Sequence, residues 1–233
     1  MNSFERVKGL IGESALNKLQ NSHIAVFGVG GVGGSALEAL VRSGVGIITI
    51  VDNDTVSESN INRQIIANIN TVGKLKTEVW ENRLKEINPN VKVNAINLFY
   101  LPETADKIDL SAFDYVIDAV DTVSAKIALI ERAKALNVPI ISSMGTAGKL
   151  NPTCLKVAFI KDTSGCPLAK VVRKQLKDRG ITDVKVVYST EKAFGEINTN
   201  GSKNVPSSMT FVPNTAGLII ASEVVKDLTA GLI

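Results

Sequence analysis

The stretch from His23 to Gly34, HIAVFGVGGVGG, decides how this chain is read. Its first part, His23 to Val29, is a short apolar run ending in glycines, as a buried strand requires. Val32 to Arg42 follows as a helix, and Gly28, Gly30 and Gly33 hold the GxGxxG spacing between the two. Glycines let the backbone approach a phosphate, and the helix start offers free N–H donors at the positive end of its dipole. Asp52 closes the next strand, Ile47 to Asp52, 19 residues after Gly33, where a carboxylate takes ribose hydroxyls. Alone, the pattern does not separate NAD, FAD and ATP. A tight glycine turn without a ligand is the plainer alternative.

Outward from this unit, strands and helices alternate. Thr71 to Ile87 reads as a helix, Val91 to Ile96 as a strand and Tyr115 to Asp118 as a strand. A helix over Thr122 to Leu136 and a strand over Ile140 to Ser143 come next. Strands separated by helical crossovers imply a mostly parallel sheet. Beyond Gly148 the pattern loosens into a strand (Leu155 to Ile160), a basic helix (Leu168 to Arg179) and a strand (Val184 to Ser189). A polar loop, Gly195 to Ser208, rich in Asn, Ser, Gly and Lys and expected to be mobile, precedes a last helix. The expected fold is α/β and Rossmann-like. A mostly parallel, doubly wound sheet occupies residues 1–148, and a smaller C-terminal α/β extension over 149–233 completes the fold.

Composition narrows the function classes. The chain has 233 residues, 45% hydrophobic and 21% charged, ordinary for a globular protein with a real core. No apolar run approaches the roughly 20 residues of a membrane helix. The N-terminal stretch MNSFERVKGLIGES has mixed charge and no leader-like apolar segment, so a cytoplasmic protein is expected. A net charge of +3 permits an anionic partner without demanding one. The two cysteines, Cys154 and Cys166, make neither a disulfide framework nor a four-thiolate structural zinc site.

The crossover after Asp52, DNDTVSESNINRQ to Gln64, packs polar groups around Arg63, and Lys76 follows 13 residues later. An arginine fork and a lysine point charge suit a polyphosphate. A site that expels pyrophosphate needs both, whereas hydride transfer needs neither. A solvated loop with a surface lysine is the competing reading for Lys76. Asp121 sits just past a strand's carboxyl end, where open parallel sheets place ligands, although a helix cap is an equal reading of it.

Taken in order, GVGGVGG, VDNDTVSESNINRQ, TVGKLKTEV and VIDAVDTVSAK resemble the ubiquitin-activating-type adenylyltransferases over Phe4 to Met144. The resemblance implies that Gly31 lies against the phosphates of ATP and Asp52 holds the ribose. It implies that Asn60, Arg63 and Lys76 contact the triphosphate, and that Asp121 binds Mg²⁺. Arg6 matches an arginine that reaches the ATP of a neighbouring subunit, which implies a homodimer. Sulfur-carrier activators of this family hold zinc through two C-x-x-C pairs, which this chain cannot form. It is also too short for the catalytic-cysteine and ubiquitin-fold domains of larger members.

The second half resembles one branch of that family, the tRNA threonylcarbamoyladenosine dehydratases. The matching segments are MGTAGKLNPTCLKV, CPLAKVVRKQLKDRGI, VVYSTE and SSMTFVPNTAGLIIASEVVKDL. The implied activity is that of an ATP-dependent ligase or cyclase acting on tRNA that carries threonylcarbamoyladenosine beside the anticodon. A sulfur-transfer protein is a further partner known for some relatives. An adenylyltransferase for a small sulfur-carrier protein and a non-catalytic NAD-binding module are the competing readings.

The basic helix supplies a stripe, Lys170, Arg173, Lys174 and Lys177, suited to tracking phosphates or simply to facing solvent. His23 is expected to be structural, and Trp80 to be core or dimer interface. Ring closure by the substrate's own carbamoyl group needs no enzyme nucleophile, so Cys154 and Cys166 need no catalytic role.

Overall fold

Strand β1 (His23–Phe27) is buried on both faces, and its side chains alternate between two cores. Ile24 and Val26 enter one hydrophobic cluster, while Ala25 and Phe27 enter the other. Such period-two burial on both sides is what a central parallel strand covered by helices produces. The computed structural model describes residues 3–194, 197–200 and 203–233, with the backbone alone for 197–200 and 203–206.

Helix α1 (Glu5–Asn21), broken at Gly12, leads into β1, and α2 (Gly31–Arg42) follows the glycine turn. Next come β2 (Ile47–Asp52), α3 (Lys76–Ile87), β3 (Lys92–Asn97), β4 (Tyr115–Asp118), α4 (Val123–Ala135) and β5 (Ile140–Ser143). The chain continues through β6 (Leu155–Phe159), α5 (Pro167–Lys177), β7 (Lys185–Ser189), β8 (Ile197–Asn200), β9 (Lys203–Pro206) and α6 (Phe211–Leu228). A seven-stranded sheet runs in the order β3-β2-β1-β4-β5-β7-β6. Every pairing is parallel except that of β6, an antiparallel edge strand on β7. This is the expected Rossmann-like, doubly wound arrangement. The sheet reverses direction of growth between β1 and β4. No helix among the described residues is long and apolar enough to cross a membrane.

Two expectations change. The helix read from Thr71 begins at Lys76, because Thr71 to Lys74 form a turn with Gly73 at φ 87° and Leu75 is extended to bridge Thr55. The stretch read as a polar loop contains β8 and β9, paired antiparallel from Ile197–Pro206 to Asn200–Lys203. Gly195, Glu196, Gly201 and Ser202 of that stretch lie outside the described residues, and the mobility expected of them with it.

Close packing explains the glycine pattern. A Cβ on Gly33 would stand 1.9 Å from the Gly28 carbonyl oxygen, so α2 rests on the end of β1 only without a side chain there. Gly34 faces the Trp80 ring, which is fully buried and donates its Nε1–H to the Val29 carbonyl at 3.1 Å. Trp80 is therefore core. His23 is structural as well: its Nε2 bonds Thr49 Oγ1 at 2.8 Å, its ring meets Phe113 edge-on, and burial lowers its pKa. Gly33→Ala is expected to cost at least about 3 kcal/mol, the upper end for overpacking, because the clashing atom is backbone. A thermal midpoint equal to wild type would show instead that α2 lifts off β1 freely.

Candidate active site

The carboxyl ends of β1, β2 and β4 open into a cleft of about 500 Å³ at the point where the strand order reverses. Open α/β sheets hold their ligands there. Gly28, Gly30, Gly31, Asp52, Arg63, Lys76 and Asp121 all line it, so seven of the sequence-derived residues converge on one cavity. Gly28, at φ 79°, turns the chain out of the sheet, and Gly30 precedes α2 with no side chain between cleft and backbone N–H groups.

The carboxylate of Asp52 is held rigidly. Its Oδ2 accepts the Val29 N–H and its Oδ1 the Asp54 N–H, both at 2.8 Å. Arg63 is half-buried on the far wall, where burial lowers its pKa. Its Nη1 donates to the Ser59 carbonyl at 2.7 Å and to Asn62 Oδ1 at 2.8 Å. No carboxylate pairs with Arg63 among the described residues, which leaves a full positive charge available to an anion. Lys76 is not a surface lysine. It is 5% exposed at the first turn of α3, and its Nζ meets Asp54 Oδ2 at 2.7 Å. Its own N–H bonds the Asp54 carbonyl at 3.0 Å. Asp54, an acid that residue spacing does not single out, thus aims this lysine.

Asp121 lies exposed at the opposite lip, its Oδ1 accepting from Thr122 Oγ1 at 3.3 Å. Beneath it is a fully buried ion pair, Lys126 Nζ to Asp118 Oδ2 at 2.8 Å. Lys126 also donates to Ser142 Oγ at 3.2 Å and the Ser143 carbonyl at 3.0 Å. Ser142 bonds Asp118 Oδ2 in turn, and Asp118 Oδ1 accepts the Val120 N–H at 3.2 Å. This satisfied network ties β4, α4 and β5 together and fixes the loop that carries Asp121. Asp118 and Lys126 stand inside VIDAVDTVSAK, but spacing alone does not show that they pair.

Other candidates fall elsewhere. Asn60 is buried and does not line the cleft. Its Oδ1 accepts the Ser57 N–H at 3.2 Å, and its carbonyl takes the N–H groups of Arg63 and Gln64. It therefore builds the turn under Arg63. Gly33 serves packing, as described above. Arg6 is exposed on α1, away from this chain's cleft lining. On α5, Lys170, Lys174 and Lys177 are exposed, but Arg173 turns back to donate to the Thr163 carbonyl and Oγ1 at 2.5 and 2.7 Å. The basic stripe thus loses Arg173 to a loop tether. Cys166 is buried at the start of α5 and Cys154 is half-buried. Gln64, the last residue of the polar stretch after Asp52, also lines the cleft, as does Tyr100, which no sequence signal marks.

A glycine turn facing two cations and a ribose-type acid, at the switch point of a parallel sheet, defines a nucleotide-binding protein of the Rossmann type. The chain belongs to the ThiF family, whose model matches residues 5–231. It is 43% identical over 241 residues to a tRNA threonylcarbamoyladenosine dehydratase of Bacillus subtilis, covering 98% of this chain and 95% of that one. It is also similar to solved structures of the E. coli tRNA N6-threonylcarbamoyladenosine dehydratase. The complex with AMP matches at TM-score 0.90 and that with ATP at 0.89, each 35% identical over 98% of this chain and 94% of the other.

The buried pair gives a direct test. Asp118→Ala leaves the Lys126 charge unpaired in the core, with an expected loss of about 3–5 kcal/mol of stability. Denaturant unfolding at the wild-type midpoint would show that the pair is not what anchors this loop.

Proposed function

We propose that this chain is an ATP-dependent tRNA threonylcarbamoyladenosine dehydratase. The observation that carries the reading is the convergence of Arg63, Lys76 and Asp121 on one glycine-lined cleft. Its end-to-end similarity to proteins of that name supplies the substrate.

In this reading ATP lies with its ribose on Asp52 and its phosphates over Gly30 and Gly31, at the start of α2. The threonyl carboxylate of the modified adenosine attacks the α-phosphorus, and the bond to the bridging oxygen breaks to release pyrophosphate. The carbamoyl group of the same nucleoside then attacks the acyl carbon, closing a ring and expelling AMP. The substrate loses the elements of one water, and its carboxylate oxygen leaves on the phosphate. Both reactants are anionic. Arg63 and Lys76 offset the charge that develops on the phosphates, in a site where their positions are already fixed. No enzyme nucleophile takes part.

Asp121 suits Mg²⁺, which is typically held by one or two carboxylates together with substrate phosphates. It is a solvent-facing carboxylate at the lip of the cleft, with no cation paired to it among the described residues. Bound there, the ion would neutralise phosphate charge as pyrophosphate departs. A homodimer fits the exposed position of Arg6, which is free to reach a neighbour's nucleotide. It also fits the exposure of Ile65 (43%) and Ile69 (86%) on the crossover beside Arg63. The residue 149–233 part, with Lys170, Lys174 and Lys177 exposed on α5, is the face offered to tRNA.

The deciding measurement is release of AMP and pyrophosphate from ATP with three acceptors: the modified tRNA, the same tRNA unmodified, and a carrier protein ending in Gly-Gly. Release with the modified tRNA alone, and a nucleoside lighter by one water, is expected. Release of pyrophosphate with the carrier protein alone, its AMP retained in the acyl-adenylate, would move the chain to the sulfur-carrier activators. Asp121→Ala should abolish turnover with an unchanged fold. Lys76→Ala should lower it by about 10²–10³-fold, the size of one lost transition-state contact. Near-wild-type rates would remove either residue from the mechanism. Replacing Lys170, Lys174 and Lys177 together by Ala should lower the salt dependence of tRNA binding by about three counterions on a logarithmic plot. An unchanged slope would put the tRNA contacts elsewhere.

A further inference from the structure

One side chain joins the two walls of the cleft that face the phosphates. Asn214, near the start of α6, donates from Nδ2 to the Arg63 carbonyl at 3.1 Å and to the Thr210 carbonyl and Oγ1 at 2.8 and 2.6 Å. Its Oδ1 accepts from the buried Ser35 hydroxyl on α2, whose single proton is shared with the Gly31 carbonyl at 3.0 Å, one turn back in the same helix. The packing around it repeats the same bridge. A Cβ on Gly31 would stand 3.2 Å from Pro213 and 3.5 Å from the Arg63 carbonyl, so the glycine turn is held between α6 and the Arg63 turn. Asn62 adds a further tie, its Nδ2 donating to the Ser208 carbonyl at 2.8 Å.

An amide suits this position because it accepts from Ser35 and donates to Arg63 through one rigid plane. Ser, Asp or an apolar residue would break one arm or both. The Arg63 guanidinium hangs from the backbone that Asn214 grips, and the N–H groups of Gly30 and Gly31 open the helix that carries Ser35. Error of about 1 Å between such groups is enough to cost most of their joint effect on a phosphate.

We propose that Asn214 is a positioning residue of the polyphosphate site, setting the separation between the Arg63 guanidinium and the glycine-turn N–H groups by holding both walls at once. This rests on the reading of the cleft as an ATP site and is independent of the tRNA assignment. Asn214 touches no phosphate itself and acts through Arg63.

The test measures dissociation constants of ATP and of adenosine for the full chain and for Asn214→Ala, Arg63→Ala and the double variant. Asn214→Ala should weaken ATP about tenfold, in the range of one hydrogen bond to a charged group, while adenosine changes less than about twofold. The double variant should bind ATP no more weakly than Arg63→Ala, since residues that act through one another are not additive. Equal weakening of ATP and adenosine would reduce Asn214 to a general structural role and overturn the proposal. So would effects of the two substitutions that multiply. If Arg63→Ala binds ATP like wild type, the phosphate role of Arg63 fails and takes the proposal with it. Should Asn214→Ala not fold, Asn214→Leu keeps the volume and removes every bond. Selective loss of ATP affinity in that variant supports the positioning role, and wild-type affinity overturns it.

Discussion

Helix α2 approaches the end of β1 so closely that nothing larger than a hydrogen fits at Gly33, where a Cβ would come within 1.9 Å of the Gly28 carbonyl oxygen. From this contact follow the height of the helix start above the sheet and the direction of its free N–H groups. The same few ångströms then recruit other elements. Trp80 of α3 wedges against Gly34 and caps the Val29 carbonyl, while Asp52 of β2 takes the Val29 N–H. Both polar atoms of one glycine-turn residue are thereby satisfied from different parts of the fold. A loop that must offer its backbone to a ligand cannot also be loose, and here packing rather than local propensity makes it rigid.

The charged groups of the cleft follow two different regimes. Lys126 and Asp118 are wholly buried, and their pair tolerates that position only because Ser142, the Ser143 carbonyl and the Val120 N–H complete their bonding. Such a pair contributes geometry rather than net stability, and what it orders is the loop ending in Asp121. Lys76 and Arg63 are different. Lys76 is buried against an exposed acid, and Arg63 is half-buried without an acid among the described residues. Asp52, Asp54 and Asp121 share the cleft with these two cations, so it is Arg63, the one without an acid partner among the described residues, that offers its charge to a phosphate.

Sequence reaches far where chemistry is local. The glycine spacing and Asp52 lie within two consecutive strands, and residue type alone says what each can do. The start of α3 is harder to read because the helical pattern runs on through Thr71 to Lys74, whereas the backbone there spends its bonds on Val56 and on a bridge from Leu75 to Thr55. Pairing across that distance leaves no periodic trace. The strands β8 and β9 are hidden for a related reason: a polar composition reads as a loop, and only a facing partner makes it a hairpin. Arg173 shares a stripe with its helical neighbours by spacing, yet its guanidinium reaches a loop ten residues back. The Asp118, Lys126 and Ser142 cluster joins three elements, and Asn214 meets Arg63 across 151 positions of sequence.

The last of these contacts bears on how the chain divides its labour. β7 extends the parallel sheet from β5, and α6 closes on α2 so tightly that a Cβ on Gly217 would stand 2.2 Å from the Val32 carbonyl oxygen. The later part of the chain therefore completes the sheet and also buttresses the glycine turn. Through Asn214 the start of α6 meets the Arg63 backbone, and through Pro213 it meets Gly31, so the position of this helix start sets both sides of the glycine turn.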